Sequence, residues 1–229
     1  MIDQQEKSRL FDEWPEDYDR WFTTPMGALV KRYEGELLLE LLRTMSGELI
    51  LDAGCGTGVF TLDILSRSTT VIGLDISLPM LRRAGQKARK YCFQMVLGDM
   101  LNLPFPEKSF DRVISVTALE FIEDAKGAVR ELFRVTKRGG CIVVATLNSL
   151  SPWASRRSVE AKKKQTIFEK AIFRSPDELR SLAPGEGVIR TAIHFQKEDN
   201  ANIAAEIELE GRRKRLNTGA FMVGRWEKI

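Results

Sequence analysis

The nine residues Ile50-Leu51-Asp52-Ala53-Gly54-Cys55-Gly56-Thr57-Gly58 constrain this fold more than any other stretch, because a short apolar run passes straight into three glycines at spacing two. Such a run, bounded by glycine, reads as a buried strand, and the segment after the glycines as a helix. Glycines let the backbone turn tightly and come within contact distance of a ligand. The helix that follows aims its free N–H groups at the same point. The loop therefore predicts a nucleotide-type cofactor site at the end of a strand. A dinucleotide fingerprint needs Gly-x-Gly-x-x-Gly, and Val59 stands where its third glycine would fall. Asp52 would also set a negative charge against a pyrophosphate, whereas it could hold the loop amides or accept from a cationic ligand.

Around this loop the chain alternates short apolar strands with helical segments, the pattern of a mainly parallel sheet covered on both faces. Strands are expected near 48–53, 70–75, 93–97, 110–115 and 140–147, and helices near 58–66, 78–90 and 124–136. Ser77 is a candidate N-cap with Pro79 in the first turn, and Gly139-Gly140 is expected to end the third helix. After 148 the pattern changes. A basic, irregular segment over 149–174 leads to a capped helix at Ser175-Pro176-Asp177-Glu178-Leu179, a strand near 188–196, a polar helical segment and a last strand at 219–227. Ahead of the sheet, apolar residues at 29, 30, 33, 37, 38, 41 and 42 predict an amphipathic helix over Gly27 to Leu42. The aromatic-rich stretch Trp14 to Phe22 before it suits a lid that is apolar toward a ligand and wet outside.

Bulk properties bound the function. A chain of 229 residues, 43% hydrophobic and 29% charged, reads as one globular domain with room for an appendage. A net charge of +3 gives little general attraction for nucleic acid or an anionic membrane. Cys55, Cys92 and Cys141 form no Cys-x-x-Cys pair, so neither a zinc site nor a disulfide framework is expected, and a reducing cytoplasm is. Met1 to Trp14 carries no apolar signal region, and no apolar run approaches the roughly 18 residues of a membrane span.

Four ordered motifs then sharpen the reading. The run 50–58, followed by Val71-Ile72-Gly73-Leu74-Asp75-Ile76-Ser77, resembles the first two motifs of class I S-adenosylmethionine-dependent methyltransferases. Gly98-Asp99-Met100, the Leu103-Pro104-Phe105 turn and Phe110-Asp111-Arg112-Val113-Ile114-Ser115 continue it, as does Arg134 to Gly140 ahead of an apolar strand. The resemblance covers roughly 48 to 148 and is nearest to the small-molecule branch that includes quinone-biosynthesis C-methyltransferases. It implies an α/β, Rossmann-like, seven-stranded, mostly parallel sheet with helices on both faces and an antiparallel C-terminal strand. It further implies an N-terminal helical lid over 1–45 and a methyltransferase domain over 46–229, with 149–174 as a substrate-side insertion. S-adenosylmethionine would be the cofactor and S-adenosylhomocysteine its product.

Each expected cofactor contact has a chemical reason. Asp52, Gly54, Cys55, Gly56 and Thr57 form the loop. Asp75, 21 residues after Gly54, stands where an acidic side chain accepts both ribose hydroxyls, a role shared with nicotinamide enzymes. Ile76 suits one adenine face, and Asp99 could accept from the adenine amino group while Met100 packs on the ring. Ser115, Val116 and Thr117 follow the fourth strand, where the amino group of the methionine moiety would sit. The resemblance also places Tyr18 and Trp21 in a stretch that closes over the cofactor.

The chemistry asks little of the protein, since a sulfonium is already activated and an in-line displacement needs positioning and desolvation. No catalytic residue is assigned. His194 reads as an ordinary strand residue, Glu123 and Asp124 as the acidic start of a helix, and Glu120 as the better base candidate. Trp153, Arg156, Arg157 and Lys162-Lys163-Lys164 lie on the acceptor side, where arginines would favour a carboxylate or phosphate, although a solvated helix face is the simpler reading. Arg212-Arg213-Lys214-Arg215 is a second basic cluster, and RNA would need both clusters on one face. Ser115-Val116-Thr117-Ala118 replaces the Asn-Pro-Pro-Tyr type of motif, which argues against base or glutamine amino-group methylation by that route. The leading expectation is a cytoplasmic methyltransferase acting on a small molecule. An RNA methyltransferase, a nicotinamide-dependent oxidoreductase and a non-catalytic cofactor-binding protein stay open as alternatives.

Overall fold

A computed structural model describes residues 10–164 and 167–229. Its centre is a seven-stranded sheet of β1 (Leu49–Ala53), β2 (Thr70–Asp75), β3 (Phe93–Leu97), β4 (Phe110–Val116), β5 (Thr136–Leu147), β6 (Val188–Ala192) and β7 (Phe221–Glu227). The spatial order is β3-β2-β1-β4-β5-β7-β6, and β7 alone runs antiparallel to its neighbours. The chain leaves β1 toward β2 and β3 on one side and returns to β4 on the other. That reversal opens a crevice at the carboxyl ends of β1 and β4, where open α/β sheets bind ligands.

The helices are α1 (Pro15–Thr23), α2 (Pro25–Leu42), α3 (Thr61–Leu65), α4 (Leu78–Lys87), α5 (Ala125–Val135), α6 (Pro152–Lys164), α7 (Pro176–Leu182) and α8 (Ala201–Arg213). Their starts follow local chemistry. Ser77 accepts from Met80 N–H at α4, Asp124 accepts from Gly127 N–H at α5, and Ser175 with Glu178 forms a capping box at α7. One face of the sheet packs on α2, whose Val30, Leu37, Leu38, Leu41 and Leu42 share a buried cluster with Ile50, Ile114, Val143 and Val223. Leu38 and Leu42 are fully buried, each contributing roughly 1.5–3 kcal/mol. The other face packs on α5 through Ala128, Val129, Leu132 and Val135. No described helix is long and apolar enough to cross a membrane.

Four expectations change. The expected lid over 1–45 divides: α2 belongs to the core, α1 covers the crevice, and residues 1–9 lie outside the described residues. The third helix stops at Val135 and runs directly into β5, so Gly139-Gly140 lies inside a longer strand, where the register to β4 shifts between Phe110 and Arg112 and Gly139 takes φ +75°. Segment 149–174 is not irregular throughout, because Pro152 opens α6 and Trp153 and Ala154 anchor it in the core. Strand β6 ends at Ala192 rather than 196, because Ile193 turns to φ +64° and breaks the extended backbone.

Candidate active site

A cavity of about 390 Å³ occupies the crevice, floored by the glycine loop and roofed by α1 and α6. Gly54 is at φ +78°, and a Cβ there would meet the Ala118 Cβ at 2.5 Å and the Met100 Cε at 3.2 Å. Only glycine fits both constraints. Asp75 ends β2 with its carboxylate turned to backbone, accepting Gly56 N–H at 2.8 Å and Ser77 N–H at 2.9 Å. Burial pushes Asp75 upward, against the pull of those two N–H groups.

Asp52, at the end of β1, accepts the Thr61 hydroxyl at 2.6 Å on one oxygen. Its other oxygen is buried and has no hydrogen-bond partner among the described residues, and Asp52 is one of the residues lining the cavity. Burial pushes this carboxyl up to about 7, with Thr61 drawing it down and Asp75 adding to the rise. A buried acceptor left bare in this way is costly without a ligand. On the β3 side, Asp99 is held by Leu101 N–H at 2.9 Å, and Met100 packs under Gly54.

Helix α1 is bolted over this floor by Asp19. Its carboxylate takes the Thr57 hydroxyl at 2.6 Å, Arg83 Nε at 2.8 Å and Lys87 Nζ at 2.8 Å. Partial burial would raise Asp19, but Lys87, Thr57 and Arg83 together hold it below the usual carboxylate range. Trp14, just before α1, and Tyr18, Trp21 and Phe22 on it line the cavity. Tyr18 meets Phe22 edge-on at 5.2 Å, Phe22 meets Phe60 at 6.1 Å, and Lys197 sits 5.7 Å from the Trp21 ring.

Beyond the glycine loop the cavity continues into a chamber with walls from Phe22, Phe60, Phe121, Trp153 and Phe168. Two carboxyl groups enter it. Glu34 comes from α2 and is pushed up to about 8 by burial, Arg157 opposing and Glu120 adding to the shift. Glu120 comes from the turn after β4, is wholly buried and is also raised by burial. Arg157 lies over the Trp153 and Phe168 rings, and Arg156 pairs with Glu198.

Among the residues singled out from sequence, Tyr18, Trp21, Asp52, Gly54, Cys55, Gly56, Asp75, Ile76, Asp99, Met100 and Thr117 line this cavity. Thr57 and Ser115 do not: Thr57 is buried against Asp19 and Lys87, and the Ser115 hydroxyl faces Met100 Sδ at 3.8 Å. His194 is outside the strand and does not line the cavity, with Nδ1 3.0 Å from Glu208. Arg212 is bonded to Glu208, and Arg213 and Lys214 to Glu210, so that cluster is a paired helix surface. The side chains of Lys162, Lys163 and Lys164 lie outside the described residues. Sequence reasoning missed Asp19 and Glu34. Asp19 carried a weak signal as the acid between Tyr18 and Trp21 in the expected lid, and Glu34 carried one as an acid inside an apolar helix stripe. No cluster of three metal-ligating side chains occurs among the described residues.

Comparison with known proteins agrees with this architecture. Residues 51–144 match the family described as a methyltransferase domain. A malonyl-[acyl-carrier protein] O-methyltransferase of Yersinia pestis is 34% identical over 64% of this chain and 52% of its own length, so the chain spans about half of that relative. A demethylmenaquinone methyltransferase of Thermobifida fusca is 29% identical over 77% of this chain and 82% of its own. The crystal structure of a SAM-dependent methyltransferase of Thermotoga maritima superposes with a TM-score of 0.72 at 24% identity, covering 97% of this chain and 100% of that one. The glycine loop and the β2 carboxylate both lie within residues 51–144, the part of the chain that is similar to the methyltransferase-domain family.

Proposed function

We propose that this protein moves the methyl group of S-adenosylmethionine to a small-molecule acceptor. The carrying observation is that one cavity joins the glycine loop and Asp75 to an apolar aromatic chamber closed by α1 and α6. The cofactor would supply an activated methyl group on sulfur. Asp75 would accept from the ribose hydroxyls, Ile76 and Met100 would flank the adenine, and Asp99 would meet its amino group. The bare Asp52 oxygen fits a cationic methionine moiety, because it lacks the donor such a ligand brings. The aromatic residues of α1 would exclude water from the reacting centre. The relatives named for malonyl-[acyl-carrier protein] and demethylmenaquinone support a small acceptor group, and a cavity of about 390 Å³ is of a size that supports it independently.

The test is titration calorimetry with S-adenosylmethionine and S-adenosylhomocysteine on wild type and Asp75→Ala. Micromolar binding that the substitution removes supports the reading. Absence of binding to wild type overturns it.

A further inference from the structure

We propose that the chamber beside the glycine loop receives an amine carried on an apolar body, anchored by Glu120 and Glu34. This rests on the methyltransferase reading above and names the acceptor class for that site.

Glu120 carries the inference. Its Oε1 accepts the Leu147 N–H at 2.9 Å, which ties the turn after β4 to the end of β5. Its Oε2 is buried and has no hydrogen-bond partner among the described residues. The nearby cation does not satisfy it, because Arg174 gives its N–H groups to the carbonyls of Leu119, Ile172 and Ile122. Thr146 stands beside it, yet the two groups do not close a hydrogen bond of good geometry and the Thr146 hydroxyl is itself left bare. A buried carboxylate oxygen in this state demands a donor.

Glu34 strengthens the demand. It is 5% exposed on a helix face otherwise given to Val30, Leu37 and Leu38, so packing alone does not account for an acid there. The two carboxyl groups act on one another through space, and Tyr18 feels both. The walls are aromatic rings, whose faces attract cations. An ammonium group brings several N–H donors for the bare Glu120 oxygen and a positive charge beside that of Arg157, which already lies over the Trp153 and Phe168 rings. A carboxylate or phosphate would bring no N–H donor to the bare Glu120 oxygen, and a hydroxyl would bring one donor and no charge.

The same geometry provides for the proton. Transfer from an ammonium nitrogen to Glu120 breaks one N–H bond, forms one O–H bond and leaves the electron pair on nitrogen. A neutral amine with a free lone pair is the state a methyl acceptor needs.

The experiment is titration calorimetry on the full chain with phenethylamine, 2-phenylethanol and phenylacetate, which share one body and differ in the head group. S-adenosylhomocysteine is titrated first, and the series is read with it bound. Phenethylamine is expected to bind wild type at least about tenfold more tightly than either analogue, and Glu34→Gln/Glu120→Gln is expected to abolish that preference. Both substitutions keep shape, and an unchanged circular dichroism spectrum with a cooperative melting transition confirms the fold. Equal affinities, a preference for phenylacetate, no amine binding in the millimolar range, or a preference that survives the double substitution each overturn the proposal. If S-adenosylhomocysteine itself fails to bind, the methyltransferase reading falls, and the head-group series is read on the chain alone. Homocysteine-ligand binding with head-group indifference strikes the amine alone.

Discussion

Asp75 Oδ2 accepts the N–H of Gly56 at 2.8 Å, so the carboxylate expected to meet a ribose also pins the end of β2 to the loop that leaves β1. Its second oxygen holds Ser77 N–H at 2.9 Å, at the N-cap of α4. Asp75→Ala should therefore do two things. It should remove cofactor binding, and it should cost about 1–3 kcal/mol of stability by stranding two N–H groups. Asp75→Asn retains one acceptor oxygen and should recover part of the stability while leaving cofactor affinity low. Melting temperatures read beside calorimetry separate the losses, and equal melting temperatures for all three proteins would contradict the structural role.

Asp19 is the second lever, because three donors from the loop helix side converge on it. Its partners are part-exposed, with side-chain exposures of 39% for Arg83 and 24% for Lys87, so global stability should fall by no more than about 1 kcal/mol in Asp19→Asn. The local effect should be larger. Amide exchange in α1 should accelerate, and cofactor affinity should drop about tenfold as the aromatic roof loosens. Exchange mass spectrometry with unchanged α1 protection in the variant would rule this latch out.

Much of this was legible in the chain itself. The strand alternation, the glycine loop and the Ser77 and Ser175 caps depend on local pattern, and each strand from β1 to β7 falls where that pattern puts it to within a few residues. Asp75 and Asp99 were legible for the same reason, since a strand's carboxyl end is a local feature that the topology carries to the rim. Glu34 was not legible in its role, because an acid in a helix ordinarily faces water and only tertiary packing of α2 on β5, β6 and β7 turns it inward. Thr57 misled for the complementary reason. Its place in the loop is right, but the partner that takes its hydroxyl comes from α1, 38 residues away in sequence. Helix α6 was hidden by polarity, since Trp153 and Ala154 supply its buried apolar contact and make no periodic stripe.

Asp52 makes cofactor binding depend on pH. With its carboxyl at about 7, it is largely protonated at pH 6 and ionised at pH 8. A cationic ligand prefers the ionised form, so S-adenosylmethionine affinity should rise through that interval by up to about tenfold per unit below pH 7, and binding near pH 7 should release a proton. Calorimetry in buffers of differing ionisation heat measures the release directly. Asp52→Asn should flatten the profile, and a wild-type profile already flat between pH 6 and 8 would exclude Asp52 from contact with the cation.

Glu34 makes the opposite kind of pH statement, about folding. Its carboxyl lies at about 8 in the folded chain against 4.5 for the ordinary group, because burial disfavours the charge, Arg157 offsets only part of that cost and Glu120 adds a smaller repulsion. Between those values the folded chain holds a proton that the unfolded chain gives up, so stability falls as pH rises from about 4.5 to about 8 and levels off above. Glu34→Gln cannot ionise and avoids that loss. Its advantage over wild type should be small at pH 5 and grow to a few kcal/mol by pH 8.5, on the order expected for a shift of this size in a buried group. Urea denaturation of the two proteins at both pH values provides the comparison. Parallel behaviour at pH 5 and 8.5 would mean that the acid is not held in a dry site. A gap that widens with pH would mean the fold tolerates a destabilising acid at the chamber wall, which is the trade expected where a side chain is kept for binding rather than for packing.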